Sequence, residues 1–172
     1  MAWILVLALA ALAAAIAIAA RRGLLALQDS TQHAWSALES QLLKRQQLAT
    51  RIVELCAKPL AEERETLSRA RAAAGAVIAA TKSANVPALA AADKSHRAAF
   101  SELFARAESH PHLSRSAAFD ALRERMATLD ARVDERREHY NAVVSVLNFR
   151  CVAFPYNVVA RTTGVRPAAF LP

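Results

Sequence analysis

Apolar or large side chains recur in steps of three and four at Phe119, Leu122, Met126, Leu129, Val133, Arg136, Tyr140, Val143, Leu147, Arg150 and Phe154. That spacing is one face of a single α-helix with a coiled-coil-like seam. No Gly or Pro interrupts it before Pro155, so the pattern predicts a helix from Ser116 to Ala153, about 57 Å long at 1.5 Å per residue. A helix of that length needs several neighbours. A second seam, Thr31, Trp35, Leu38, Leu42, Arg45, Ala49, Ile52 and Cys56, predicts a partner helix over Leu24 to Lys58. Pro59 is expected to end it and to open the next helix, about Leu60 to Ala84, with Glu62 and Glu63 at the positive end of the macrodipole. Asn85-Val86-Pro87 marks a turn before Ala88 to Ser109, and His110-Pro111-His112 marks the break before the last long helix. A short helical turn to Thr163 should stop at Gly164, followed by an extended tail with Pro167 and Pro172.

Trp3 to Ala20 carries no charge. As a helix it is about 27 Å long, against a hydrocarbon core of about 30 Å, so it can span. Ala17-Ile18-Ala19 also has the small-x-small form of a signal-peptide cleavage site, but the basic residues Arg21 and Arg22 follow the segment rather than precede it. By the positive-inside rule they place the N-terminus outside and the remainder in the cytoplasm. Gly23 is the one candidate bend between this segment and the next helix. Short connections make the long helices antiparallel neighbours. The expected fold is therefore all-α, an N-terminal transmembrane helix continuing into an antiparallel bundle of four long helices. Its expected parts are an anchor at 1–22, a bundle at 23–155 and a tail at 156–172. The expected register sets Trp35 beside Val143, Tyr140 near Leu38, and Arg45 near Val133 and Arg137.

Composition supports the helical class, since Gly occurs only 3 times while Ala, Leu, Arg and Glu abound. The formal charge of +7 is spread over every helix and interleaved with Glu, the pattern of a solvated face, and no nucleic-acid motif accompanies it. Cys56 and Cys151 lack metal or redox spacing and read as small hydrophobes. His110 and His112 form an HxH without further ligands, so no metal is expected. No phosphate loop, nucleophile elbow or one-turn acid pair is present, so no catalytic residue and no cofactor are expected.

Arg45, Arg136, Arg137, Asn141 and Asn148 lie on or beside faces that should be buried, where an unpaired polar group costs on the order of 1–3 kcal/mol. They should pair with one another, with backbone carbonyls or with carboxylates such as Asp134. They either set helix register, form a partner or self-assembly surface, or line a small-ligand site.

These residues also carry a resemblance. Ala34-Trp35, Gln41-Leu42-Leu43-Lys44-Arg45 with Leu48, His110-Pro111-His112-Leu113, Arg137-Glu138-His139-Tyr140-Asn141 with Asn148, and Phe154-Pro155 with Asn157, Ala160, Gly164 and Phe170 resemble the LemA family of bacterial membrane proteins. The resemblance implies an inner-membrane helix followed by a mostly cytoplasmic helical bundle, and some relatives belong to the machinery that builds magnetosome membranes. It marks Trp35, Arg45, Arg137, Tyr140, Asn141, Asn148 and Pro155 as a candidate structural or partner patch. Gln47, Thr50 and Arg51 replace the family's usual Asp, Pro and Asn, so the first cytoplasmic helix should run straighter. The expected role is a membrane-anchored scaffold, held in the lipid bilayer through residues 3–20 and partnered by copies of itself or by other membrane proteins. The alternative is a small-ligand or stress-sensing membrane module.

Overall fold

The computed structural model describes residues 2–172, and all regular structure among them is helical. The helices are α1 (Ala2–Ala57), α2 (Arg64–Lys82), α3 (Val86–Glu108), α4 (Pro111–Ser114), α5 (Ala117–Val152) and α6 (Tyr156–Thr163). The chain divides into two compact units, one of Met1–Ser36 with Glu138–Phe170 and one of Ala37–Arg137 with Leu171–Pro172.

In the unit of Ala37–Arg137, the core is built from the seam side chains of α1, including Ala49, Ile52, Val53 and Cys56, together with Phe100 and Leu103 of α3 and Phe119 and Met126 of α5. Phe104 links the aromatic residues, its ring lying edge-on to Phe100 at 6.1 Å and to Phe119 at 6.0 Å, an arrangement the ring quadrupoles favour. Helix α2 buries Ala70, Ala74, Val77 and Ala80 and packs along α3. Small side chains there permit close approach, while Arg69 bridges to Glu102 at 2.9 Å on the outside. Asn85 caps α3 by accepting from the Ala88 amide, with Pro in its first turn. Ser116 does the same for α5, accepting from the Phe119 amide at 3.3 Å.

One expected boundary moves. The chain turns through 58–62, so Pro59 does not open α2, which begins at Arg64. The reason is Leu60, whose side chain is fully buried in the core while its amide donates to the Cys56 carbonyl at 2.9 Å. Helix α1 runs without a break through Gln47, Thr50 and Arg51, as their helix-compatible side chains predict.

In the unit of Met1–Ser36 with Glu138–Phe170, α1 is exposed over residues 2–19, and Ala20 and Leu24 are the first of its residues to be buried. The helix does not break at Gly23. Instead a Cβ placed at Gly23 would touch the Tyr156 ring at 3.5 Å, ordinary van der Waals contact. Helices α5 and α6 meet at an angle of 98°, and Gly164, with φ of 73°, ends α6 in the left-handed conformation expected of a helix stop. The seam of α5 is largely as expected, with Tyr140 and Leu147 buried. Val144 is buried, however, where Val143 is only half-buried, and Phe154 is 83% exposed because the helix has already ended at Val152.

The register differs from expectation by three residues in each unit. Tyr140 meets Trp35, three residues before the expected Leu38, their rings 5.5 Å apart and edge-on. Arg45 donates to Asp130, three residues before the expected Val133. Heptad spacing alone is compatible with either phase; the charges and rings select one.

Because Gly23 lies inside an unbroken helix with room for a methyl group, Gly23→Ala should stabilise the protein by about 0.5–1 kcal/mol. A lower thermal unfolding midpoint for this variant would establish Gly23 as a required bend. In the core, Phe119→Ala should cost about 3–5 kcal/mol, while exposed Arg51→Ala should stay within about 0.5 kcal/mol, as read by denaturant unfolding.

Candidate functional site

The polar residues singled out from the sequence fall into two separate sets. Arg45 and Arg137 belong to the unit of Ala37–Arg137, while Trp35, Tyr140, Asn141, Asn148 and Pro155 belong to the other.

Arg45 is 1% exposed, placed on the seam of α1 between Leu42 and Ala49. A guanidinium cannot shed its proton, so burial requires anionic partners. Its Nη2 pairs with Asp93 of α3, and its Nη1 donates to Asp130 of α5 at 3.0 Å. Asp93 is shared, since Arg97 donates to it through Nε at 2.9 Å and reaches Asp134 of α5 at 2.8 Å. Arg137 closes the chain on Asp134 at 3.3 Å. Burial opposes ionisation of Asp93, but Arg45 and Arg97 outweigh it and hold the carboxyl below its ordinary range.

His96, one turn from Asp93 on α3, is the residue that sequence reasoning passed over. It is 2% exposed, stacks on Phe100 at 4.5 Å, and neither ring nitrogen has a hydrogen-bond partner among the described residues. Burial, reinforced by Arg45, pushes its pKa down to about 3, so the imidazole is neutral at physiological pH. Its signal in the sequence is the run Leu89, Ala92, His96, Ala99, Phe100, Leu103, all buried on one face of α3. A cleft of about 10 Å³ lies beside Asp93 and Arg137, room for about one water. The network is thus spent on packing.

In the other unit the polar side chains hold the tail. Asn148 donates to the Ala168 carbonyl at 2.9 Å and accepts from the Ala168 amide at 2.8 Å, and the Tyr140 hydroxyl donates to the Ala169 carbonyl at 3.1 Å. One amide side chain thereby satisfies both backbone groups of a residue outside any helix. Asn148 therefore clamps the tail on α5. Asn141 is half-buried beside Tyr140, and Pro155 stands at the start of α6 after a cis bond from Phe154.

The larger concavities are open surfaces. One of about 570 Å³ in the unit of Ala37–Arg137 is bordered by Lys44 and Arg51 of α1 and Arg125 and Arg132 of α5, with Glu124 as its one acidic residue. Each pair of cations is one heptad apart, on a single helix face. Among the described residues no group of three or more His, Cys, Asp or Glu could hold a metal ion. Cys56 and Cys151 are free thiols, and burial pushes Cys56 up to about 11, which makes it a poor nucleophile.

Residues 34–172 match the LemA family. A search of curated proteins finds no match to the chain.

Arg45→Met should destabilise the fold by about 3–5 kcal/mol, because Asp93 and Asp130 lose their buried counter-charge; the double change with Asp93→Asn should recover part of that loss, read as a coupling in a double-mutant cycle. Acid should destabilise the wild type. Unfolded His96 takes a proton near its ordinary value of 6.5 and folded His96 only near 3, so the unfolded chain binds more protons between them. Stability then falls with decreasing pH in that window by up to about 1.4 kcal/mol per unit. Asp93, held low when folded, adds to the loss below about pH 4. His96→Leu should flatten the dependence between pH 6.5 and 4 in thermal melts, and parallel curves for the two proteins would show that His96 does not carry it.

Proposed function

We propose that this chain, which belongs to the LemA family, is a membrane-anchored helical scaffold that organises membrane proteins or membrane structure by self-association. The observation that carries the reading is the contrast between the buried and exposed parts of the molecule. Arg45, Asp93 and Asn148 are bonded within the fold. What remains available is surface: one N-terminal helix long and apolar enough to cross a membrane, with none of its apolar window buried, and the broad cation-bordered groove of α1 and α5. A helix that served as a core element would be largely buried. An arrangement of this kind supports attachment and recruitment rather than bond-making chemistry. We further propose a bacterial inner-membrane location with the N-terminus outside and an antiparallel bundle of the four longer helices in the cytoplasm, on the strength of Arg21 and Arg22 following the uncharged segment.

Leu9→Arg with Leu12→Arg places two charges at mid-span, each costing about 2.5–3.5 kcal/mol there. This variant should move from the carbonate-resistant membrane fraction to the soluble one, and its retention would refute the anchor. A cytoplasmic reporter fused after Pro172 should be active, and activity of a periplasmic reporter instead would invert the topology. Wild-type protein in detergent should sediment as defined assemblies larger than the 18.6 kDa chain. A monodisperse monomer would remove self-association from the reading.

A further inference from the structure

Large apolar side chains crowd the surface where α5 gives way to α6. Val146, Phe149 and Val152 form a stripe at three-residue steps on α5, exposed by 46%, 69% and 70%, and Phe154 and Val158 continue it across the bend at 83% and 56%. From residue 142 to 160 the only charge is Arg150, and its guanidinium is occupied, lying 4.5 Å over the Tyr156 ring. Isolated exposed apolar residues need no explanation, but a contiguous cluster does.

The same unit shows where this cluster lies along α1. Tyr156 packs at Gly23, and Val159, Thr162 and Thr163 of α6 share a cleft with Ala17, Ile18, Arg21 and Leu25 of α1. Helix α6 therefore sits level with residues 17–25. The uncharged run of α1 ends at Ala20, so with α1 as the anchor α6 would lie at the edge of the hydrocarbon layer, in the headgroup zone of about 5–8 Å on that side. Arg161 stands one turn from Val158 and is exposed, as are Arg21, Arg22 and Arg166; their long stems can follow apolar surface while their heads reach phosphate. The bend of 98° rules out a single straight span for α5 and α6. It suits an element that enters one leaflet and turns along it.

We propose that the α5–α6 elbow is a lipid-binding wedge, with Phe149, Val152, Phe154 and Val158 in the outer acyl layer of an anionic bilayer and the arginines at its phosphates. The wedge rests on α1 being the membrane anchor. A second point of insertion would fix the rotation of the unit about the bilayer normal and add area to one leaflet, which bears on how such a protein could shape a membrane.

The test places a tryptophan at Phe154, Val158 or, as a control in the other unit, Thr128, each in the full chain reconstituted into vesicles of phosphatidylglycerol and phosphatidylethanolamine. Emission is quenched either by lipids brominated near the headgroup end of the acyl chain or by aqueous iodide. The wild-type chain, which carries Trp3 and Trp35, provides the baseline, and the difference in lipid quenching between it and a Trp3→Phe variant reports on the anchor by itself. All three sites are surface positions, so the substitutions leave the core untouched. The added emission at 154 and 158 should be quenched by brominated lipid and spared by iodide, with the reverse at 128. Quenching of 154 and 158 by iodide alone overturns the wedge, and protection from both quenchers overturns it in favour of contact between copies. If Trp3 is quenched by lipid while 154 and 158 are not, the wedge fails and the anchor stands. If Trp3 escapes lipid as well, the anchor itself has failed.

Discussion

A permanently charged guanidinium buried among aliphatic side chains is the constraint on which the unit of Ala37–Arg137 depends. Arg45 cannot be neutralised by losing its proton, so two other helices must bring carboxylates to it, Asp93 from α3 and Asp130 from α5. Apolar seams tolerate a shift of one turn at modest cost, whereas a charge pair in low dielectric does not. The phase of α1 against α3 and α5 is therefore set by three charged residues rather than by the larger number of Leu, Ala and Val around them. Asp93 extends the constraint through Arg97 to Asp134 and Arg137, and the cationic field also helps to keep His96 uncharged.

The other unit solves a different problem with different means. Its tail has no helix or strand to satisfy its backbone, and Asn148 with Tyr140 supplies the missing partners at Ala168 and Ala169. Trp35 stands edge-on against the same Tyr140 ring, so one tyrosine joins α1, α5 and the tail. Two of the residues carrying the family resemblance in this unit, Tyr140 and Asn148, are thus ones that fasten the tail. Apolar surface is left outside, on the start of α1 and at the α5–α6 bend.

The charged groups around Arg45 and the amide of Asn148 have partners within the fold, and the cleft beside Asp93 and Arg137 measures about 10 Å³. Binding sites for small molecules generally occupy several hundred cubic ångströms with a few converging polar groups. Here the roomy concavities are open and bordered by cations such as Lys44 and Arg132, while the converging groups are packed tight.

Helical class, the long helices and most of their ends were legible in the sequence, because a seam repeating every three or four residues admits one secondary structure and because Asn85, Ser116 and Gly164 act locally. The uncharged start of α1 was legible for the same reason, since crossing potential depends on length and composition alone. The pairing of Arg45 with Asp93 and Asp130 was not. Those residues are separated by 48 and 85 positions, and many of the other carboxylates had equal claim until the chain was folded. The apolar run around His96 marked its face of α3, but not that both ring nitrogens would be left without a partner among the described residues, nor could Asn148 be assigned to the tail rather than to helix register. Periodicity reports which face of a helix is turned inward. Which charge meets which, and which apolar residues are left without cover as Phe149 and Phe154 are, depends on contacts between segments distant in the chain, and those exist only in the tertiary structure.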